Sequence, residues 1–581
     1  MNFKKFFLAA APALLLTACA SDDPSVNPDN GGSAGTTMYA KIHLKTAAGT
    51  RSGTVDYNDP TNSEDGFEVG RDYENNISDV TLVLATRDDA TGKYTPMAVS
   101  SKGVAPDPDA SLENVYTITF QDTDIKELHD QTVYIFAYCN SDLTTGSFGD
   151  LDLDRMVGKL GDGEKDNAGV WTKNGFLMVN APNKGIPTKN MPSEVALVNN
   201  YNTAEKALDL GTVDVARVSS RFDFKQVNDN LYRILDVNDP GKEIAQIEVL
   251  AMAPINIAKE YYYLPRVSDD GTDAAWTVCG IENANNYVVS PYFAEKNAAS
   301  ASTISGLFKN YFYTPAGHNY DDEAYYNYTY MTEFSDKNKF EEDDDQNWGE
   351  KLDAAEKAGY QTWRYVTENT LPSVASQIKG LSTGVIFKAE IKNAAAGSNM
   401  AKAMEANRDI YGYNGTYYGD VEALRYFVYR LSEAATMRVD FVRVFGSEAL
   451  EVEMEGDKVK LDENNRPVFK NPISDCTAAQ NNGTFKILRN TGGHYYVYYI
   501  YRNRHNDNGN PSVMGPMEFG TVRNNVYKLA VTTISDFGHT ANPGDDPDPE
   551  KPENPDEDPK TYFKVSCRVL PWMVRVNNIE F

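Results

Sequence analysis

Five cysteines in 581 residues, Cys19, Cys139, Cys279, Cys476 and Cys567, fall in no CxxC or other paired spacing, so the sequence offers no disulfide framework. Basic residues are scarce beside acidic ones, 55 against 84, for a formal charge of -29. Such a chain repels polyanions, which argues against nucleic acid as a partner. Long apolar runs are missing as well. The longest, "FFLAAAPALLLTA" near the start, falls short of the roughly 20 residues of a spanning helix. The six histidines, His43, His129, His318, His494, His505 and His539, form no HExxH or similar ligand spacing. Nucleophile-elbow, phosphate-loop and dinucleotide-binding glycine patterns are also lacking. The expectation is a protein that is no enzyme, with no cofactor and no metal. The acidic run "EEDDDQNW" (341–348) could offer Glu341, Asp343 and Asp345 to calcium. It lacks the glycine and closing glutamate of a calcium loop and reads better as a solvated charge run.

What the chain does have begins at its start. Lys4 and Lys5 precede a short apolar core closed by "LTAC", the order of an export signal ending in a lipobox. Residues 1–19 are thus expected to be a lipoprotein signal, with Cys19 as the lipidated residue. The polar stretch "ASDDPSVNPDNGGSAGTT" behind it reads as a tether. A strand pattern comes next at 38–45, where Met38, Ala40, Ile42 and Leu44 alternate with Tyr39, Lys41, His43 and Lys45. Directly after it, "TAAGTRSGTVDYND" is small and polar with Arg51 as its one basic residue. Exposed segments of this kind attract proteases, although a plain loop with a solvated arginine fits the same residues.

Short alternating or apolar runs then recur, at 80–86, 132–138, 176–180, 220–225, 385–391, 495–501 and 526–534, with turn residues between them. They predict mainly β sandwiches. Helices are expected to be few, at 124–130, 153–160 and 349–359, and the domain joint near residue 213. In the run 526–534 the alternation predicts Tyr527, Leu529 and Val531 facing the core and Lys528 facing outward. Tyrosine clusters such as "EYYYL" (260–264), "AYYNYTY" (324–330) and "HYYVYYIY" (494–501) could stack on sugars but fit cross-strand pairs better. The C-terminal part opens with an acidic, proline-studded spacer, "ANPGDDPDPEKPENPDEDPK" (541–560), which should stay solvated and hold the last twenty-odd residues away from the body. Those residues alternate again: Phe563, Val565, Cys567 and Val569, then Trp572, Val574 and Val576 beyond Pro571. A strand needs a neighbour, and this one is expected to find it on another molecule.

The lipobox, "MYAKIHLKTAAGTRSG", "TVYIFAYCN", "VARVSSRFDF", "GTVRNNVYKLAVTTIS", the spacer and "VSCRVLPWMVRVNN", in this order, resemble the Bacteroidales fimbrilins, or type V pilins, and within them the shaft subunits of the short fimbriae of Porphyromonas. The resemblance implies two transthyretin-like β-sandwich domains in tandem with a C-terminal donor-strand extension. On this chain that gives a signal at 1–19, a propeptide of tether and first strand at 20–51, an N-terminal domain at 52–212, a C-terminal domain at 213–540, the spacer at 541–560 and donor strands at 561–581. It also implies an assembly route. An arginine-specific surface protease cuts between Arg51 and Ser52, the first strand leaves, and the emptied groove accepts the tail of another copy. Expected partners are further copies of the chain, accessory tip and anchor subunits, and host or bacterial receptors, with the membrane touched only through the precursor lipid. The expected location is the cell-surface fimbrium and, before cutting, the outer membrane. A surface glycan-binding lipoprotein of a nutrient-uptake system is the alternative; it would keep its lipid and need no detached terminal strand.

Overall fold

The structure, a computed structural model, describes residues 37–46, 68–70, 72–104, 115–121, 127–148, 153–160, 170–172, 175–236, 239–269, 276–280, 287–291, 312, 328–334, 360–371, 373–473, 484–506, 508–510, 512–540, 555–557 and 563–573. The fold is mainly β. In chain order its principal elements are β1 (Met38–Thr46), β2 (Glu68–Val69), α1 (Asp72–Asn75), β3 (Asp79–Arg87), β4 (Tyr94–Val99), β5 (Val115–Phe120), β6 (Thr132–Cys139), β7 (Val157–Lys159), β8 (Met178–Asn180), α2 (Glu194–Asn200) and β9 (Leu208–Arg217). Then come β10 (Ser219–Lys225), β11 (Leu231–Asp236), β12 (Asp239–Ile255), β13 (Glu260–Tyr262), β14 (Gln361–Thr367) and β15 (Gly384–Ala394). The last are α3 (Asn399–Glu405), α4 (Val421–Tyr429), α5 (Thr436–Phe445), β16 (Tyr496–Arg502), β17 (Asn525–Ile534) and β18 (Phe563–Met573).

All seven predicted runs are strands. The first sheet runs β4-β3-β6-β8-β9-β1-β5 and encloses a core that includes Leu82, Leu84, Ile135, Tyr138, Val179, Val213 and the buried face of β1. Two further sheets, β2-β18-β17-β10-β14 and β11-β12-β15-β16, face each other across Phe222, Phe224, Ile247, Phe387, Val497, Tyr499 and Leu529. The chain passes from the first unit to the second at Val218, between β9 and β10. The chain bends at Val218, and the side chains on both sides of it are buried.

Three expectations need correcting. Residues 153–160 do not form a helix: Leu153–Arg155 is one 3₁₀ turn and Val157–Lys159 pairs with β13. Gly158 permits this pairing, since a Cβ there would lie 2.3 Å from the Tyr261 ring. The described part of 124–130 is a turn, with Asp130 at φ 56, and 349–359 lies outside the described residues. The helices stand elsewhere, three of them, α3, α4 and α5, between β15 and β16. There Ser398 Oγ accepts the Ala401 N–H at 3.0 Å and Asp420 Oδ1 the Ala423 N–H at 2.6 Å, each capping a helix start. Leu424, Val428 and Phe441 pack with Phe485 and Ile487 in a separate small core. Lastly, Lys528 does lie on the face opposite Tyr527 and Leu529, but it is buried at 6% exposure, its ammonium 5.5 Å from the Tyr360 ring centre.

Candidate functional site

β1 lies inside the first sheet. It runs parallel to β9, from Ala40 opposite Leu208 to Thr46 opposite Val215, and antiparallel to β5, from Met38 opposite Phe120 to His43 opposite Val115. Met38, Ala40, Ile42 and Leu44 are between 0% and 3% exposed, whereas Tyr39, Lys41 and His43 are half-buried. Lys41 reaches Asp209 at 3.8 Å with both side chains about half exposed, so this pair adds little hold. A bulge interrupts the β9 ladder between Lys41 and His43. Gly211 makes the bulge possible at φ 93, a value L side chains avoid. Removing β1 would therefore open a slot between two strands that do not otherwise pair, floored by an apolar core.

The tail is where the structure departs from expectation. β18 pairs antiparallel with β17 of its own chain, from Ile534 opposite Phe563 to Asn525 opposite Pro571, and its far end pairs in parallel with β2, Trp572 with Glu68 and Met573 with Val69. Phe563 is buried, stacked on Tyr499 at 4.7 Å and tilted against Phe387 at 5.1 Å, and Val565 packs half-buried against the same core. Cys567 and Val569 stand opposite Leu529 and Tyr527 in register. The spacer does not keep this strand off its own body, because β17 would otherwise present an open edge directly beside it. The spacer itself also touches down: Pro555 bridges to Ile378, and the Asp556 N–H donates to the Gln377 carbonyl at 3.1 Å.

Cys19, Arg51, Ser52, Val574 and Val576 lie outside the described residues, as does the acidic run 341–348. Among the described residues no group of three or more metal-ligating side chains comes together. In the two clusters at 260–264 and 494–501, Tyr263, Tyr496 and Tyr501 are half-buried. Tyr261, Tyr262, Tyr495, Tyr498 and Tyr499 are all buried, and Arg266 stacks on Tyr262 at 3.9 Å. The buried five are packing residues.

A buried charge cluster, unforeseen in the sequence, locks the first residues after β2 to both units. Arg221 gives two bonds to Asp223, 2.8 and 2.9 Å, and contacts both Glu74 carboxylate oxygens at 3.0 and 2.9 Å. All three side chains are fully buried. Tyr365 donates to Glu74 at 2.6 Å; burial first, then the Glu74 charge, pushes its phenol well above the usual range. Arg217 donates to the Glu74 carbonyl at 2.9 Å and to Asn524 at 3.0 Å, and burial lowers its guanidinium to about 10. The alternation of Arg221 and Asp223 with Phe222 and Phe224 hints at a buried ion pair. Glu74, 147 residues away, gives no such signal.

Residues 490–578 match the family model described as "Major fimbrial subunit protein type IV, Fimbrillin, C-terminal". Over this stretch the chain is similar to the C-terminal part of fimbrillins. The matched stretch takes in β16, β17, the spacer and β18. Among solved structures, similar ones are a fimbrilin from Porphyromonas gingivalis W83, at 13% identity over 92% of this chain and 98% of that one with a TM-score of 0.33, and the C-terminally truncated tip fimbrial protein Mfa3 from Porphyromonas gingivalis, at 8% identity over 92% of this chain and 100% of that one with a TM-score of 0.31. No curated protein matches the chain.

Proposed function

We propose that this fimbrillin-like chain is a non-enzymatic structural subunit of a cell-surface fimbria that supports adhesion. In this reading it is exported as a lipoprotein on Cys19, cut between Arg51 and Ser52 by an arginine-specific protease, and joined to the next copy by insertion of its tail into the slot that β1 vacates. Accessory tip and anchor subunits and a receptor complete the partners.

The observation that carries the reading is the position of β1. It is flanked on both sides, its inner face is apolar, and the arginine-bearing segment comes directly after it. Taking Met38, Ile42 and Leu44 out of the core forfeits about 5–9 kcal/mol of apolar burial and strips two strands of their ladder partner. Only another strand restores both. β18 and its continuation supply one of similar length and pattern, Phe563, Val565, Cys567, Val569, Trp572, Val574 and Val576, the mode by which inserted strands join other chains.

The test is the N-terminus of fibres taken from the cell surface. It should begin at Ser52, and Arg51→Ala should leave lipidated, full-length monomer at the outer membrane. Normal fibres from that variant would remove cleavage from the reading.

A further inference from the structure

We propose that the C-terminal unit carries a binding site for one tripeptide of its own spacer, Pro555-Asp556-Glu557, and that this clasp restrains the tail at home until assembly. The proposal rests on the donor reading of the tail. Pro555 sits at the Ile378 bridge, the Asp556 N–H donates to the Gln377 carbonyl at 3.1 Å, and Ser382 Oγ donates to Asp556 Oδ2. Arg504 pairs with Glu557: Nη2 donates to Oε1 at 3.1 Å, and Nη1 lies 2.9 Å from Oε2 as an ion pair without hydrogen-bond geometry. Asp556 and the Glu557 side chain are each 6% exposed. A solvated spacer would bury neither.

The receiving side is built without help from the spacer. Gln377 is fully buried, its Oε1 accepting the Phe519 N–H at 2.7 Å and its Nε2 donating to the Gly515 carbonyl at 2.8 Å. The Ser382 carbonyl is fixed by Asn256 Nδ2 at 3.0 Å. The Arg504 guanidinium lies 4.6 Å from the Phe519 ring centre. The site is selective as well. Proline is followed by an acidic residue at 547, 549, 552 and 555, but only Pro555 is followed by more than one in a row, the first for the Ser382 hydroxyl and the second for the guanidinium.

The clasp is also made to open. Arg504 pairs with Glu518 at the same time, so losing Glu557 leaves no stranded guanidinium. Arg221 is the contrast, since both its carboxylates are fully buried and none can leave cheaply. A closed clasp has a geometric consequence. Only residues 558–562 separate it from β18, a reach of about 17 Å when fully extended, whereas the whole spacer could reach about 60 Å. The clasp therefore decides how far the strand can travel.

Glu557→Gln in the full chain tests this, because it keeps the shape, removes the charge and leaves Arg504 with Glu518. In uncut monomer the β18 amides should exchange with solvent about tenfold faster, with the melting temperature of the body unchanged. After cutting with an arginine-specific protease, fibres should form several-fold faster than from wild type, and Ser382→Ala should move both readouts the same way. Unchanged exchange, or faster exchange with an equal or slower assembly rate, overturns the restraint. A cut chain ended at Lys560 is the control. If it forms fibres, the donor reading falls, while the exchange result on uncut monomer still judges the clasp.

Discussion

Arg221 and Leu529 mark two ways in which a single residue holds this fold. Leu529 is fully buried between the facing sheets of the second unit, so Leu529→Asp should cost several kcal/mol and unfold that unit in urea. Arg221→Ala acts through what it leaves behind, Glu74 and Asp223 buried without their shared cation, at a cost of about 3–5 kcal/mol. The same urea midpoint should report it. Burial also pushes the Cys279 thiol up to about 12 from 9.0. Between those values the unfolded chain holds fewer protons than the native one, so stability that is intact below pH 9 should decline as pH rises towards 12. The urea midpoint should accordingly drop between about pH 9 and pH 11, and the Cys279 thiol should resist alkylation at about pH 8 until the chain unfolds.

Among the elements, β1 has two opposite roles under the proposed function: it completes the uncut chain and is absent from the mature one. Ile42→Asp should thus destabilise uncut monomer by several kcal/mol in thermal melts and leave cut, assembled fibres as stable as wild type; equal losses in both would show that β1 stays. The facing of β1 was legible in the sequence because a half-buried strand writes its period directly, and Met38, Ala40, Ile42 and Leu44 kept it. The strands at 132–138 and 526–534 were legible as apolar runs, but Lys528 was misjudged. In a run buried on both faces, a charged residue can keep the period without facing water. The helices at 421–429 and 436–445 were missed although Asp420 announces a cap, since aromatic residues such as Tyr426 and Phe427 read equally well as strand. The home position of β18 could not be read at all. A strand pattern states that a neighbour is needed, and only the open edge of β17, set by the packing of the whole unit, says which.

For the whole molecule, the proposed function gives the tail two places to be. At home it pairs with β17 along one side and with β2 only at Trp572 and Met573; in the slot left by β1 it would have β9 and β5 on either side. A strand paired on both edges satisfies both rows of backbone groups, so the slot of another copy should win once it is open. In that reading fibre growth is a transfer from a one-sided site to a two-sided one, gated by cleavage. The decisive measurement separates the two halves of that transfer. A donor-only chain, Arg51→Ala with its tail intact, is mixed with an acceptor-only chain, cut after Arg51 and ended at Lys560, and the mass in solution is read by light scattering. The account predicts that each alone stays monomeric and that the mixture yields one-to-one complexes and nothing longer. A mixture that remains monomeric, or fibres from the acceptor-only chain by itself, would contradict it.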